Sequence, residues 1–191
     1  AYVGIDPGRR SGFCIIVNNK IVVATYLAGS DDITERVKFV SMWIKATINM
    51  YPSVKEFVVT VEDQYFDGLN VVVFASIRGN ALLWENAFRV CQMIMPNAHK
   101  LTIRDKVLSR TWHTALGIKQ ENRHVQSEIG LNARNYVEEK FGSKYAIEDI
   151  AQALCIAYAS SIGVLLERQE ETKLIKKEKK KRDKRKIKKI K

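Results

Sequence analysis

The stretch that decides the fold is Tyr2-Val3-Gly4-Ile5-Asp6-Pro7-Gly8. Apolar residues run directly into an acidic one, and Pro7-Gly8 then forces a turn, a pattern typical of a short buried strand that ends at Asp6. Strand ends open onto the rim of a sheet, where residues distant in sequence can converge. A carboxylate in this position is poorly placed for a role in solvation alone.

The rest of the chain alternates between strand and helix patterns. Apolar runs at 13–17 and 21–26 flank the turn-forming pair Asn18-Asn19, which predicts that the first three strands form an antiparallel meander. The later elements are predicted as a helix capped within 30–32, a strand at 57–61 ending at Glu62, a helix at 70–95, a strand at 99–103, helices at 105–116 and 120–140, and a last helix from about Ala146 past Leu166. This order indicates an α/β domain with a mixed central sheet.

Positive charge is concentrated at the C-terminal end of the chain. The 191 residues carry a formal net charge of +11, and residues 167–191 hold 14 Lys or Arg against 5 Asp or Glu. The sequence therefore divides into a nearly neutral domain, residues 1–166, and a basic tail, residues 167–191. The run Lys179-Lys180-Lys181-Arg182 in this tail is typical of salt-sensitive, sequence-independent phosphate binding. A solubilising tail is the alternative, and an anionic membrane surface is a weaker one because the run lacks a clear apolar face.

Composition excludes several other classes of protein. The longest apolar stretches, such as residues 71–74, are far shorter than a bilayer span, and the N-terminus lacks a secretory pattern. The cysteines lie in apolar runs without metal-ligand spacing, as buried thiols do in a reducing compartment: Cys14, Cys91 and Cys155. We therefore expect no membrane partner and a cytoplasmic location, which is the host cytoplasm if the protein is viral.

Three acidic residues stand out by their positions. Asp6 ends the first predicted strand, Glu62 ends the fourth, and Asp149 lies at the start of the last helix. If the first and fourth strands are neighbours, Asp6 and Glu62 lie side by side and repel each other unless a cation neutralises them. Oxygen ligands favour Mg²⁺ or Mn²⁺, and two such ions about 4 Å apart can support phosphodiester hydrolysis. Taken singly, each acid is equally well explained as a turn or helix-cap residue.

The motifs around these acids resemble those of the RuvC family of Holliday junction resolvases. The matching stretches, in chain order, are Gly4-Ile5-Asp6-Pro7-Gly8, Val61-Glu62-Asp63-Gln64, Ile77-Arg78-Gly79-Asn80-Ala81, Gly117-Ile118 and Glu148-Asp149-Ile150-Ala151-Gln152-Ala153-Leu154. The first motif alone is weakly specific, because sugar kinases of the actin-like superfamily begin similarly. The whole set in order within one short chain is far more specific, and it spans about residues 1–166.

The resemblance implies an RNase H-like fold, with a mixed β-sheet flanked by helices, and a homodimer. It also implies two Mg²⁺ ions per active site, for which Mn²⁺ can substitute, and paired nicks across branched DNA. By position, Asp6 and Glu62 match the first two metal-binding acids of the family. The last helix departs from the family pattern, because its two metal-site positions hold Asp149 and Gln152, and an amide is a poorer ligand than a carboxylate. Glu148 on the adjacent turn is a further candidate ligand.

The resemblance also indicates which residues contact DNA. Tyr65 or Phe66 matches the family residue that pushes against bases at the junction centre, although both rings could instead pack in the core. Lys119, Arg123 and His124 lie where the family has basic DNA contacts, with a solvated charged loop as the plain alternative. Arg78 contacts phosphate or supports the dimer helix. The tryptophans are interpreted as packing residues: Trp43, Trp84 and Trp112. Trp84 could alternatively lie in a dimer interface.

The sequence therefore predicts a dimeric, metal-dependent endonuclease that resolves four-way junctions and related branched DNA, including forks. Its basic tail would suit a self-sufficient phage-type or other viral resolvase. A junction-binding protein with weak or no cleavage is the alternative, because of Gln152. An actin-like kinase is a distant rival, since it needs duplicated domains for which this chain has no room.

Overall fold

A six-stranded sheet lies at the centre of the computed structural model, which describes residues 1–8, 10–28, 32–63, 71–95, 98–104, 106–118 and 126–165. The strands in this part of the chain are β1 (Tyr2–Asp6), β2 (Arg10–Val17), β3 (Lys20–Ala28), β4 (Glu56–Asp63), β5 (Lys100–Ile103) and β6 (Val107–Leu108). The helices are α1 (Ile33–Met50), α2 (Val71–Ile94), α3 (Ser109–Ala115), α4 (Gln126–Phe141) and α5 (Glu148–Ser161), with a short 3₁₀ turn at Ser143–Tyr145.

The strand order is β3-β2-β1-β4-β5, and the short β6 pairs with β4. The first three strands form the predicted antiparallel meander, and β4 runs parallel to β1, β5 and β6. Asn18 and Asn19 both have positive φ, 50° and 61°, so they form the kind of two-residue hairpin turn that asparagine tolerates. The predicted fold class, an RNase H-like mixed sheet flanked by helices, is confirmed by this arrangement.

The two faces of the sheet carry separate apolar cores. Alternate strand residues such as Ile5, Phe13 and Ile15 point toward one core, which includes Trp84 and Phe88 of α2 and residues of α1. Their neighbours Cys14 and Ile16 point toward the other core, where α3, α4 and α5 pack. Because side chains alternate between the two faces along each strand, α1 and α2 pack on one face of the sheet and α3, α4 and α5 pack on the other.

Two element predictions at the C-terminal half are wrong. The predicted helix 105–116 begins only at Ser109, because Val107 and Leu108 pair with Glu62 and Asp63 as a short strand. The helix predicted to run from about Ala146 past Leu166 is interrupted after Ser161, where Gly163 has a φ of 81°; Val164 and Leu165 are helical again, and residues 166–191 lie outside the described residues. In the predicted helix 120–140, the described part begins at Gln126, and residues 120–125 lie outside the described residues.

Two smaller expectations, a helix cap and buried cysteines, are confirmed. Asp32 caps α1, where its Oδ1 accepts a hydrogen bond of 2.7 Å from the backbone N–H of Thr34. All three cysteines are buried free thiols. Among the described helices, none is long and apolar enough to cross a membrane.

Candidate active site

Asp6 is the last residue of β1, and Glu62 is the last but one of the adjacent parallel strand β4. The register pairs Ile5 of β1 with Val61 of β4, so the next residue on each strand is one of these two acids. Both carboxyl groups are buried, with 6% of Asp6 and 1% of Glu62 exposed. The structure therefore brings the first two predicted metal-binding acids together at one edge of the sheet.

Asp149 reaches the same edge because α5 packs unusually close to the sheet. A Cβ atom on Gly12 would lie 2.7 Å from the carbonyl carbon of Asp149, and one on Gly4 would overlap the backbone of Ala153 and lie 2.5 Å from that of Ala157. Only glycine leaves room for helix backbone at this distance from β1 and β2. The first turn of α5, with Glu148 and Asp149, is thereby held beside the end of β1.

The electrostatics of Asp6 connect it to the other acids. Burial, followed by the negative charges of Asp149 and Glu148, raises the pKa of Asp6 to about 7, although a hydrogen bond from the backbone of Gly8 acts in the opposite direction. Among the ion pairs formed by described residues, none involves Asp6 or Glu62. Among the described residues, the buried carboxyl group of Asp6 thus has a backbone hydrogen bond but no ion pair to compensate its charge.

Glu62 is held in place by α3. The indole Nε1 of Trp112 donates to Oε2 of Glu62 at 3.4 Å, and Ser109 also hydrogen-bonds the carboxyl group. Burial first, and the charge of Asp6 second, raise the pKa of Glu62 well above its ordinary value. Trp112 is fully buried, as a packing residue should be, but sequence reasoning missed its hydrogen bond to Glu62. No sequence signal pairs these residues, because the contact depends on β6 placing α3 beside β4.

Arg10 is a second residue that sequence reasoning missed. Its Nε lies 3.2 Å from Oδ2 of Asp149, and its guanidinium carbon lies 4.2 Å from the ring centroid of Tyr26. The side chain of Arg10 is half exposed and that of Asp149 is one-quarter exposed. Asp149 therefore faces a cation of the protein itself.

The carboxylates of the candidate site are of the chemical type that binds divalent metal ions. Asp6 and Glu62 supply buried oxygen ligands that need a positive charge, and Mg²⁺ and Mn²⁺ prefer such oxygens. In the described part of the chain, no three Asp, Glu, His or Cys side chains converge closely enough to enclose a metal ion. Gln152 is half-buried one turn after Asp149 on α5, whereas Glu148 is exposed and packs against Gly130 of α4. Asp6 and Glu62 would thus hold a cation that Asp149 approaches from α5.

Most of the predicted DNA-contacting residues lie outside the described residues. These are Tyr65, Phe66, Lys119, Arg123, His124, Lys179, Lys180, Lys181 and Arg182. Arg78 is described and is exposed on α2. Its predicted contact with phosphate or with a partner helix stays a prediction.

Comparisons with known proteins give structural matches only. No protein-family model and no curated protein matches the chain. The RuvC of T. thermophilus in complex with a Holliday junction substrate is similar to this chain with 17% identity and a TM-score of 0.47, over 85% of this chain and 96% of that one. A second T. thermophilus RuvC structure gives 18% identity and a TM-score of 0.47, over 83% of this chain and 91% of that one.

A third match is the yeast mitochondrial Holliday junction resolvase Ydc2. It gives 10% identity and a TM-score of 0.48, over 92% of this chain and 83% of that one. These similarities concern the fold. At such low identities they carry nothing about the activity of this chain, which has to be inferred from its own residues.

Proposed function

We propose that the protein is a divalent-metal-dependent endonuclease that cuts branched DNA, with Asp6, Glu62 and Asp149 as its metal-binding residues. The observation that carries this proposal is the pair of buried acids at the ends of β1 and β4. Two buried carboxylates at one sheet edge are costly to the apo protein, since burial raises the pKa of each and the charge of Asp6 further raises that of Glu62. A site that binds a cation offsets that cost.

The acids define the reaction class. Divalent ions bound here would supply charge stabilisation at the scissile phosphate and an activated water. Asp6 and Glu62 would hold such ions from two adjacent strands, and the hydrogen bonds from Trp112 and Ser109 orient the carboxyl group of Glu62. Phosphodiester hydrolysis is the reaction that this arrangement supports best.

The choice of DNA as the substrate is supported by charge. The chain has a formal net charge of +11, most of it in residues 167–191. Such a tail favours a polyanionic partner through counterion release. The preference for four-way junctions and forks rests on the sequence motifs shared with the RuvC family, and so does the paired cleavage by a homodimer.

The test is cleavage of a labelled four-way junction by the purified protein in Mg²⁺. We expect Glu62→Gln to reduce the cleavage rate at least roughly a hundredfold, because a lost metal ligand removes several kcal/mol of transition-state stabilisation. Glu56→Gln is the matched control, since Glu56 is an exposed acid at the opposite end of the same strand. It should cleave like the wild type.

Equal losses in the two variants, or wild-type cleavage that persists in a chelator, would contradict the proposal. If linear duplex DNA were cleaved at the same rate as the junction, the proposed selectivity for branched DNA would be wrong. The proposed nuclease activity would stand. Replacing Mg²⁺ by Mn²⁺ in the same assay determines which ion the site uses.

A junction-binding protein with little cleavage is the second candidate. It is favoured by Gln152, by the ion pair of Asp149 with Arg10, and by the lack of a closed group of three acids among the described residues. The same assay separates the two functions. Binding of the junction by the wild type with no nicks in either Mg²⁺ or Mn²⁺ would establish the binder.

A further inference from the structure

Among the described residues, Arg10 is a cation beside the acid cluster, by which we mean Asp6, Glu62, Glu148 and Asp149. It is the first residue of β2, and its guanidinium group contacts the carboxylate of Asp149 on one side and the ring of Tyr26 on the other. Neither contact is with a neighbour in sequence. The side chain is therefore held between α5 and β3 at the edge where Asp6 and Glu62 end their strands.

The position of Arg10 follows from the register of the hairpin. Gly12 pairs with Tyr26 across β2 and β3, and Arg10 lies two residues before Gly12, so all three positions share the sheet face that α5 covers. Tyr26 is the diagonal neighbour of Arg10, within reach of a long side chain. Because Gly12 has no side chain, the start of α5 descends far enough for Asp149 to meet the guanidinium group.

The charged side chains at this edge of the sheet interact with one another. Asp149 and Glu148 both act on Asp6 electrostatically, and Asp6 acts on Glu62. Of these four acids, Asp149 forms an ion pair with a described residue, and its partner is Arg10. A divalent ion held by Asp6 and Asp149 would compete with Arg10 for the Asp149 carboxylate, whose Oδ2 lies 3.2 Å from Nε of Arg10, and it would lie near a positive guanidinium group.

We propose that Arg10 is a positioning residue that acts as an internal counter-cation, occupying the Asp149 carboxylate until a divalent metal ion displaces it. This inference rests on the proposed function, because it takes Asp149 as a ligand of that metal. A half-exposed ion pair of this kind is weak, so the metal can displace it, but the displacement lowers the apparent metal affinity. Arg10 thus sets the metal concentration at which the acid cluster is filled.

The test is calorimetric titration of the full-length protein with Mn²⁺ alone, without DNA. Arg10→Met keeps a long side chain over Tyr26 but removes the charge, and we expect it to bind Mn²⁺ about two- to fivefold more tightly than the wild type. Arg10→Lys keeps the charge and should stay close to the wild-type affinity. Lys20→Met is the matched control, because Lys20 is exposed at the opposite end of the same hairpin and its loss changes the net charge equally.

The outcomes separate this inference from the proposed function. If the wild type binds Mn²⁺ and Arg10→Met binds it with equal or lower affinity, the role of Arg10 is overturned. The proposed metal site is then left intact. An equal gain in Lys20→Met also overturns it, since the effect is then one of overall charge. Absence of Mn²⁺ binding in both the wild type and Arg10→Met overturns the inference together with the proposed metal site, whereas binding by Arg10→Met alone supports both.

Discussion

At the scale of single residues, the site is defined by buried charge. Asp6 and Glu62 are almost fully buried, and burial is the largest cause of the raised pKa of each. A group whose pKa is raised on folding binds its proton more tightly in the native state. Native stability therefore falls as the pH rises from the ordinary pKa toward the raised one, and it stays low above that value.

This linkage predicts that Asp6→Asn stabilises the metal-free protein at alkaline pH. Because one pKa unit corresponds to about 1.4 kcal/mol, a rise from near 4 to about 7 costs the wild type up to roughly 4 kcal/mol at pH 8. The advantage of the variant should shrink as the pH falls from 7 toward 4. Urea unfolding in a chelator across this pH range measures it.

The variant has to be compared with the wild type at each pH, because His113 has the opposite dependence. Burial lowers the pKa of His113 to about 4, so its protonation destabilises the native state below pH 6.5 in both proteins. Asp32→Asn serves as the control, since asparagine caps a helix about as well as aspartate. A stability gain in Asp6→Asn that does not change with pH would mean that the charge of Asp6 is not the cause.

At the scale of elements, the docking of α5 on β1 and β2 assembles the site. Gly4 and Gly12 allow the helix backbone to approach the strands, and residues of α5 from Ala151 to Ala159 are almost all buried against them. The same helix carries Asp149 in its first turn. A change in the packing of this helix therefore changes the distance between Asp149 and Asp6.

We expect Gly12→Ala to destabilise the protein and to reduce cleavage. The new methyl group would overlap the carbonyl group of Asp149 and lie 3.0 Å from the Cβ of Ala153, so α5 has to move. Overpacking of this kind costs about 1–3 kcal/mol. Thermal unfolding and junction cleavage measure the two effects.

Gly79→Ala is the matched control for stability. Gly79 lies inside α2 and has no atom within 4 Å of the position its Cβ would take, so alanine should stabilise the helix by about 0.5–1 kcal/mol. Destabilisation by both substitutions to the same extent would show that the close approach of α5 is not what Gly12 provides.

The sequence predicted the site at this scale only in part. Acids that follow apolar strands identify Asp6 and Glu62 from local pattern, and the meander was predicted from its turn. Arg10 and Trp112 gave no such signal, since an arginine after a turn and a tryptophan on a helix are common, and their partners are set by tertiary contacts. The two-residue strand β6 is too short to show a period, so the sequence predicts a helix over its residues.

At the scale of the whole molecule, α2 presents an uncovered apolar face. Leu82, Val90 and Met93 recur at helical spacing and are exposed, Met93 to 84%, while Trp84 on the opposite side is fully buried. The buried position of Trp84 excludes it from an interface with another chain. Apolar residues that share one exposed helix face are a common basis for association, and this supports the proposed homodimer.

We predict that Leu82→Glu converts the proposed dimer into a monomer. A charge buried in an apolar interface costs about 2 kcal/mol or more, which weakens dimerisation at least roughly thirtyfold. Light scattering after size-exclusion chromatography reports the mass. Leu131→Glu, at an exposed leucine of α4, is the control and should remain dimeric. A monomeric wild type, or a Leu82→Glu variant of unchanged mass, would exclude α2 as the dimer contact.

The path of the chain through the sheet also has a consequence during translation. Asp6 belongs to the first strand and Asp149 to the last described helix, and the cluster forms only when α5 packs on β1. A nascent polypeptide still attached to the ribosome holds Asp6 and Glu62 without their third acid until α5 has emerged from the exit tunnel. Synthesis order therefore delays completion of the proposed metal site until α5 has been made.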